Sequence, residues 1–260
     1  MSRHLPDWRL PQGVTRGAWQ YAQSQQVARG YDAEFATDTL FDFDRSLLER
    51  VFAKPGLIVD LGAGTGRLLV HFARRGFSGV AVDLSTQMLE IIGEKATTEG
   101  LSIERLQANM VELECLQDAV ADYCICMFSS LGMVRGWENR RRVLEHARRL
   151  LKPQGIFVVH VHNRWANLFH PPGRAWLASN LIQWLRGRDV ELGDKFFDFR
   201  DVPKMYLHLF TRGELLRALR EAGFSIEEIV PLDTARRHAL RCPWFLGRLR
   251  ANGWIAVCRR

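Results

Sequence analysis

Residues 59–67 read Val-Asp-Leu-Gly-Ala-Gly-Thr-Gly-Arg and begin inside a short apolar run, residues 57–61, which is typical of a buried parallel strand. Glycine allows a tight turn and a close approach of the backbone to a ligand. The helix that follows opens with free N–H donors. These glycines are spaced G-x-G-x-G, whereas a dinucleotide site uses G-x-G-x-x-G and would need its third glycine where Arg67 stands. The turn therefore predicts a cofactor site of a class other than the NAD class.

Predicted strands alternate with predicted helices along the chain on both sides of this turn. Ser85 can cap a helix that runs towards Gly100, and the capping box of Thr211 and Glu214 opens another helix. We predict seven strands, at 57–61, 79–82, 103–106, 123–128, 156–161, 226–230 and 254–258. Alternation of this kind indicates βαβ units, so the predicted fold class is α/β, with a mostly parallel sheet and helices on both faces.

The alternation breaks after the fifth strand. Residues 163–202 are rich in Trp, Phe, Arg and Pro, and we expect residues 195–200 and 205–210 to pair as a hairpin. We interpret this insertion as a lid over an apolar substrate or as plain packing, with a dimer contact or a surface helix touching a membrane as alternatives. The predicted division is an N-terminal helical cap segment (1–43), a core (44–162), the inserted cap and hairpin (163–210) and the C-terminal part of the core (211–260).

The bulk composition is that of an ordinary globular protein. Of 260 residues, 47% are hydrophobic and 25% are charged, and the formal net charge is +7. A basic balance can attract nucleic acid or anionic lipid, although a solvated arginine-rich surface is the preferred interpretation. The sequence shows neither a signal peptide nor a membrane-spanning run, so we expect a cytoplasmic protein. Its five cysteines are interpreted as free thiols, and no metal site is expected.

The turn at residues 59–67 resembles motif I of the class I S-adenosylmethionine (SAM) dependent methyltransferases. Further landmarks follow in the family's order: Asp83 ends the second strand, Asn109 follows the third where the family often has Asp, and residues 150–155 resemble its turn before strand five. The resemblance implies a Rossmann-like, seven-stranded sheet and transfer of a methyl group from SAM by in-line displacement, with S-adenosylhomocysteine as product. It also implies a cofactor site built from Asp60, Gly62, Ala63, Gly64, Gly66, Asp83, Leu84, Met88, Asn109, Met110, Phe128 and Ser129.

The acceptor is expected beyond the carboxyl ends of the strands, where open parallel sheets bind ligands. The catalytic candidates there are His160, His162 and Arg164 at the end of strand five, together with Tyr31 from the N-terminal segment. The two histidines share a strand face, and each is either a base, a polar contact or a structural residue. Arginine suits an acidic or phosphate-bearing acceptor.

The acceptor class stays open at this level. A small molecule is the leading expectation. The stretch Tyr206–Leu215 resembles the wobble-uridine tRNA methyltransferases, which makes tRNA an alternative partner, and basic runs such as residues 140–142 suit phosphate contacts. A SAM-binding subunit without catalytic activity is a third alternative. An NAD-dependent oxidoreductase is disfavoured by Arg67. The oligomeric state does not follow from the sequence.

Overall fold

The computed structural model describes residues 5–34 and 40–260, with the backbone alone for residues 31–34, 40 and 41. Its centre is a seven-stranded sheet within these residues, in the order β3-β2-β1-β4-β5-β9-β8. The strands are β1 (Leu57–Leu61), β2 (Ser78–Asp83), β3 (Ile103–Gln107), β4 (Ala121–Cys126), β5 (Leu151–His162), β8 (Ser225–Pro231) and β9 (Gly253–Arg259). β1 to β5 pair in parallel, and β9 runs antiparallel to both of its neighbours, β5 and β8. The α/β, mostly parallel fold predicted from the sequence is confirmed.

Helices cover both faces of this sheet. On one face α6 (Trp137–Leu150) and α8 (Arg212–Glu221) pack against Val59 and Leu61 of β1. On the other face the cover is formed by α3 (Leu40–Val51), α4 (Arg67–Ala73) and α5 (Thr86–Glu99), which pack around Ile58. Successive β1 residues thus enter opposite cores, because strand side chains alternate between the two faces.

Local sequence signals position the helices as expected. The Ser85 side chain accepts a hydrogen bond from the Met88 backbone N–H (3.3 Å), and Gly100 ends α5 in the left-handed conformation. The capping box of Thr211 and Glu214 is present at the start of α8. Strand four ends at Cys126 rather than at Phe128, because the backbone turns left-handed at Phe128 and Ser129 (φ 57° and 63°).

The remaining elements surround the carboxyl ends of the parallel strands. Helices α1 (Arg16–Gln23) and α2 (Gln25–Glu34) belong to the N-terminal segment. The insertion holds a 3-10 helix (Arg164–Phe169), α7 (Pro171–Leu185) and an antiparallel hairpin of β6 (Asp194–Phe199) and β7 (Val202–His208), and the short helix α9 (Gly247–Arg250) precedes β9. The predicted hairpin therefore exists, with strand ends shifted by one to three residues. Within the described part of the chain, no helix is both long and apolar enough to cross a membrane.

Candidate functional site

The turn between β1 and α4 contains three glycines in left-handed backbone conformation. Gly62, Gly64 and Gly66 all have positive φ (78°, 55° and 73°), a conformation that favours glycine. A Cβ on Gly62 would lie 2.7 Å from the Ser130 hydroxyl, and one on Gly66 would lie 2.8 Å from the Ile92 side chain. A Cβ on Gly64 would meet no other atom within 4 Å. Two glycines are thus required by packing, while Gly64 leaves space open at the turn.

Asp83, at the carboxyl end of β2, ties this turn to α5. One carboxylate oxygen accepts a hydrogen bond from the Gly64 N–H and the other accepts one from the Ser85 N–H, each at 2.8 Å. Burial raises the pKa of Asp83, although the N–H groups of Ser85, Gly64 and Leu84 oppose that rise. Each carboxylate oxygen can accept a further hydrogen bond, because an oxygen offers about two lone-pair sites. Asp83 therefore shapes the turn and still offers acceptors to a ligand.

Asp60 lies at the carboxyl end of β1, next to the turn, and is buried. Burial and the nearby charge of Asp83 together raise the pKa of Asp60 to about 8. The pair of carboxyl groups consequently makes this end of the sheet favourable for a positively charged ligand group.

A cavity of about 570 Å³ opens at this end of the sheet. This volume falls within the range of about 300–1,000 Å³ that small-molecule sites occupy. Its cofactor-side wall comes from β1, β2 and the loop after β3, and is formed by Asp60, Gly62, Ala63, Gly64, Thr65, Asp83, Leu84, Met88, Ala108, Asn109 and Met110. The Asn109 side-chain N–H₂ group donates to the Gln12 carbonyl and to Glu112, while its Oδ1 accepts from the Val111 N–H, so one lone pair of this oxygen is left for a ligand.

The opposite wall is mostly apolar and aromatic. The hairpin contributes Phe197 and Phe199 from β6 and Met205 and Leu207 from β7, and Phe128 contributes from the loop after β4. The hairpin of the insertion therefore forms part of the cavity wall.

A polar corner, defined here by His162, Arg236 and Asn252, interrupts this apolar wall. The His162 Nδ1 lies 3.3 Å from the Asn252 side-chain oxygen, an arrangement that assigns the ring proton to Nδ1 and leaves a lone pair on Nε2. Burial, followed by the charge of Arg236, lowers the pKa of His162 to about 4. The imidazole is thus neutral at physiological pH, with a lone pair on Nε2 and a basicity lower than that of an ordinary histidine.

Arg236 is held in this corner from two sides. Its guanidinium group donates to the buried Asp44 carboxylate (3.0 Å) and lies over the Phe128 ring, 4.5 Å from the ring centre. Burial raises the pKa of Asp44 to about 6, against the opposing effect of Arg236. This ion pair joins α3 to the loop between β8 and β9 across the edge of the cavity.

Several of the other residues expected at the site do not line the cavity. Gly66, Ser129, His160 and Arg164 are not among the described residues that line the cavity, and the side chain of Tyr31 lies outside the described residues. The Ser129 hydroxyl is buried and accepts from the His162 N–H (3.3 Å), whereas its neighbour Ser130 faces the cavity. His160 is fully buried below His162, with the two ring centres 5.0 Å apart.

Arg164 differs most from its expected acceptor-side role. Its guanidinium group donates to Glu214 (3.1 Å) and to the carbonyls of Leu192 and Leu209. This group connects the insertion to the start of α8 and does not reach the cavity. The physical reason is that the chain turns into a 3-10 helix directly after Asn163, which directs the Arg164 side chain towards α8.

The residues that suggested a tRNA enzyme form a buried network in the same region. His208 lies between two carboxylates, with Nδ1 2.9 Å from Asp194 and Nε2 2.7 Å from Glu214. The Tyr206 hydroxyl donates to Asp194 (2.7 Å), and the Arg140 guanidinium donates to Glu191. Asp194, Glu191 and His208 could in principle surround a cation, but their polar atoms already pair with one another and with Arg140. We therefore interpret this cluster as the anchor of the hairpin.

Sequence reasoning missed Arg236 and Asn252. No motif marks either residue. Arg236 lies in the loop between β8 and β9 and Asn252 lies at the end of that loop, far along the chain from the glycine turn. The one available signal was positional: Asn252 directly precedes a strand that pairs with β5 and therefore lies beside His162.

Known proteins share this domain and this fold. A family model described as a methyltransferase domain matches residues 58–155. A protein of Geobacillus sp. (strain WCH70) named as a methyltransferase is 36% identical over 110 residues, which are 42% of this chain and 43% of that protein. A carboxy-S-adenosyl-L-methionine synthase of Campylobacter jejuni (strain 81-176) is 25% identical over 190 residues, 71% of this chain and 76% of the relative.

The fold is also found in solved structures. A SAM-dependent methyltransferase of Methanosarcina mazei superposes with a TM-score of 0.66 at 19% identity, covering 82% of this chain and 96% of that one. The chain spans about half the length of the first two curated relatives that it matches.

Proposed function

We propose that the chain is a SAM-dependent methyltransferase that transfers a methyl group from SAM to a small, largely apolar acceptor, a function supported by the methyltransferase-domain model that matches residues 58–155. The observation that carries this proposal is one cavity with two chemically different walls. A glycine turn with two carboxyl groups lies on one side, and an aromatic hairpin with a polar corner lies on the other.

The residues on the glycine-turn side of the cavity suit SAM chemically. Gly64 leaves open space at the turn, Asp83 offers carboxylate oxygens to hydroxyl donors, and Asp60 with Asp83 favours a ligand that carries positive charge. SAM, when bound, supplies a methyl group activated by its sulfonium. The protein's contribution is then to hold the acceptor in line with that group and to exclude water.

The acceptor side offers one group for proton transfer. His162 is neutral at physiological pH, faces the cavity and is oriented by Asn252. We assign His162 as the group that takes the proton of an acceptor whose oxygen or nitrogen becomes strongly acidic as it attacks the methyl group. Phe197, Phe199 and Met205 would cover the apolar body of the acceptor.

Calorimetric titration with S-adenosylhomocysteine, with NADH as the control ligand, tests the cofactor part. We expect micromolar binding of the first ligand alone and weaker binding by Asp83→Ala. Equal binding of NADH, or an unchanged affinity in this variant, would contradict the assignment.

Incubation with methyl-labelled SAM and a panel of aromatic acceptors tests the transfer part. Product masses are needed, because one relative is named as a synthase of a SAM derivative. We expect S-adenosylhomocysteine and an acceptor heavier by one CH₂ group. A modified SAM with an unchanged acceptor would indicate synthesis of a SAM derivative instead.

Separate experiments test the two alternatives, a tRNA methyltransferase and a non-catalytic SAM-binding subunit. The residues behind the tRNA resemblance are hydrogen-bonded inside the hairpin anchor, which accounts for them without RNA. Filter binding of total tRNA across a salt series would reveal an RNA substrate through strongly salt-sensitive retention. A non-catalytic subunit would bind S-adenosylhomocysteine yet give no labelled product with any acceptor.

A further inference from the structure

Large apolar side chains are exposed in two segments of the protein. Eight of the ten exposed large apolar side chains found in the described residues lie in residues 169–188 and 241–250. Their exposed fractions run from 46% for Leu181 to 82% for Trp244; the full set is Phe169, Leu181, Ile182, Trp184, Leu185, Trp244, Phe245 and Leu246. An exposed apolar group of this size marks an interaction surface in a water-soluble domain.

Helix α7 presents its apolar residues outwards. Its buried residues are Gly173 and Asn180, and the Asn180 amide donates to the Glu191 and Asp194 carbonyls and accepts from the Gly193 N–H. The residues on its outer side include Leu181, Trp184 and Leu185. This is the reverse of an ordinary surface helix, which buries its apolar side. Polar contacts therefore hold the helix in place and leave its apolar side available.

The same 3-10 helix connects the two segments. The 3-10 helix Arg164–Phe169 packs against both α7 and α9. Asn163, which caps this 3-10 helix, also donates to the carbonyls of Arg248 (3.0 Å) and Ala251 (2.7 Å). We call residues 169–188 and 241–250 together the basic aromatic surface.

The charge on this surface has one sign. The two segments contain no Asp or Glu and six arginines, namely Arg174, Arg186, Arg188, Arg241, Arg248 and Arg250. None of the six forms a salt bridge with a residue that the structure describes. Arg174 and Arg250 instead donate to nearby backbone carbonyls, those of Leu168 and Phe245. Their positive charges are thus available to an anionic partner.

We propose that the basic aromatic surface docks the protein on a bilayer that contains anionic lipids. Tryptophan, phenylalanine and leucine side chains enter the boundary between head groups and acyl chains, while arginines bind the lipid phosphates. The aliphatic side chains of Leu181, Ile182, Leu185 and Leu246 suit acyl chains and offer no flat ring for stacking on nucleic-acid bases. A twofold contact through these segments would bring their arginines together, and neither segment contains an acid to pair them.

Sedimentation with vesicles tests the docking. We expect the wild-type protein to bind vesicles of an equal mixture of phosphatidylcholine and phosphatidylglycerol, to bind phosphatidylcholine alone far more weakly, and to be released by added salt. The variant Arg186→Gln/Arg188→Gln should partition about fivefold more weakly for each arginine removed. Trp244→Ala/Phe245→Ala should lose on the order of tenfold per ring.

Matched variants separate this surface from general charge and apolarity. Trp8→Ala removes another exposed tryptophan and Arg220→Gln another exposed arginine, and both should bind vesicles like the wild type. All substituted side chains are exposed, so each variant should bind S-adenosylhomocysteine unchanged. Vesicle binding is thereby measured independently of methyl transfer.

Three outcomes would overturn the proposal. The first is the absence of binding to anionic vesicles. The second is a dimer in analytical ultracentrifugation that Trp184→Ala/Leu185→Ala dissociates, since a second copy would then cover the surface. The third is tRNA binding that depends on the arginines but not on Trp244 and Phe245, which would identify an RNA partner.

Discussion

Binding of SAM should release a proton from the protein, and the source should be Asp60. The pKa of about 8 means that the Asp60 carboxyl is about nine-tenths protonated at pH 7. A unit positive charge roughly 4 Å from a carboxylate contributes about 4 kcal/mol at an effective dielectric constant near 20. That energy corresponds to a fall of about three pKa units. The bound protein should therefore hold Asp60 ionised.

The expected release is about 0.9 proton per site at pH 7 and about half a proton at pH 8. Calorimetry in two buffers of different ionisation enthalpy measures it directly, because the released proton is taken up by the buffer. The apparent affinity for SAM should also rise with pH between 6 and 8. S-adenosylhomocysteine, which lacks the sulfonium charge, should release less.

Asp60→Asn is the matched variant, because it keeps the shape of the side chain and cannot ionise. Its binding heat should be the same in both buffers. Two results would refute the reasoning: a binding heat of the wild type that does not depend on the buffer, and a proton release that persists undiminished in Asp60→Asn. The second result would transfer the effect to another group at the site.

Three further outcomes follow from the same geometry. Gly64→Arg should abolish S-adenosylhomocysteine binding in calorimetry, because the new side chain fills the turn. Gly100→Arg is the control: Gly100 also has positive φ and open space around it, so the variant carries a similar backbone strain of roughly 1–2 kcal/mol and should bind S-adenosylhomocysteine normally. His162→Gln should lower the methyl-transfer rate by roughly 10²–10⁴-fold with little change in S-adenosylhomocysteine affinity; an unchanged rate would exclude the base role. Arg164→Ala should cost roughly 1–3 kcal/mol of unfolding free energy in denaturant titrations, because Glu214 loses one charged partner and keeps His208 and the Thr211 N–H; an unchanged stability would contradict this bracing role.

Local patterns predicted the glycine turn and the parallel sheet. The positive φ values at Gly62, Gly64 and Gly66 follow from a strand that must reverse into a helix, and short-range sequence specifies such a turn. The capping box at Thr211 is equally local. These features depend on neighbours within a few residues, so the sequence alone identifies them.

Features that depend on distant partners could not be predicted. The sequence shows that residues 163–202 are rich in large apolar side chains, yet composition does not reveal whether those of α7 are covered or exposed. Arg236 reaches the cavity only because Asp44 and Phe128 hold it, and these three residues lie far apart in the chain. Ser130 rather than Ser129 faces the cavity because Phe128 and Ser129 both adopt left-handed backbone conformations. Neither residue is a glycine, so the sequence did not indicate this turn.

The carboxylates of the protein divide into two sets with opposite dependence on pH. Asp194 and Glu214, in the hairpin anchor, have pKa values lowered through their hydrogen bonds to His208, against the effect of burial. Their contribution to stability is present above the unfolded pKa values near 4 and is lost as the pH falls through the lowered values. Acid should therefore detach the insertion.

Asp60 and Asp83 behave in the opposite way, because burial raises their pKa values. A raised pKa contributes stability that is full below the unfolded value near 4 and is lost as the pH rises through the folded value, which is about 8 for Asp60. Near neutral pH the Asp60 and Asp83 carboxyl groups thus lower the free energy of unfolding of the free protein, whereas Asp194 and Glu214 raise it. A cationic ligand relieves the cavity's cost, so the increase in melting temperature on adding SAM should be larger at pH 8 than at pH 6. Asp60→Asn should remove that difference, and an equal increase at both pH values in the wild type would contradict the argument.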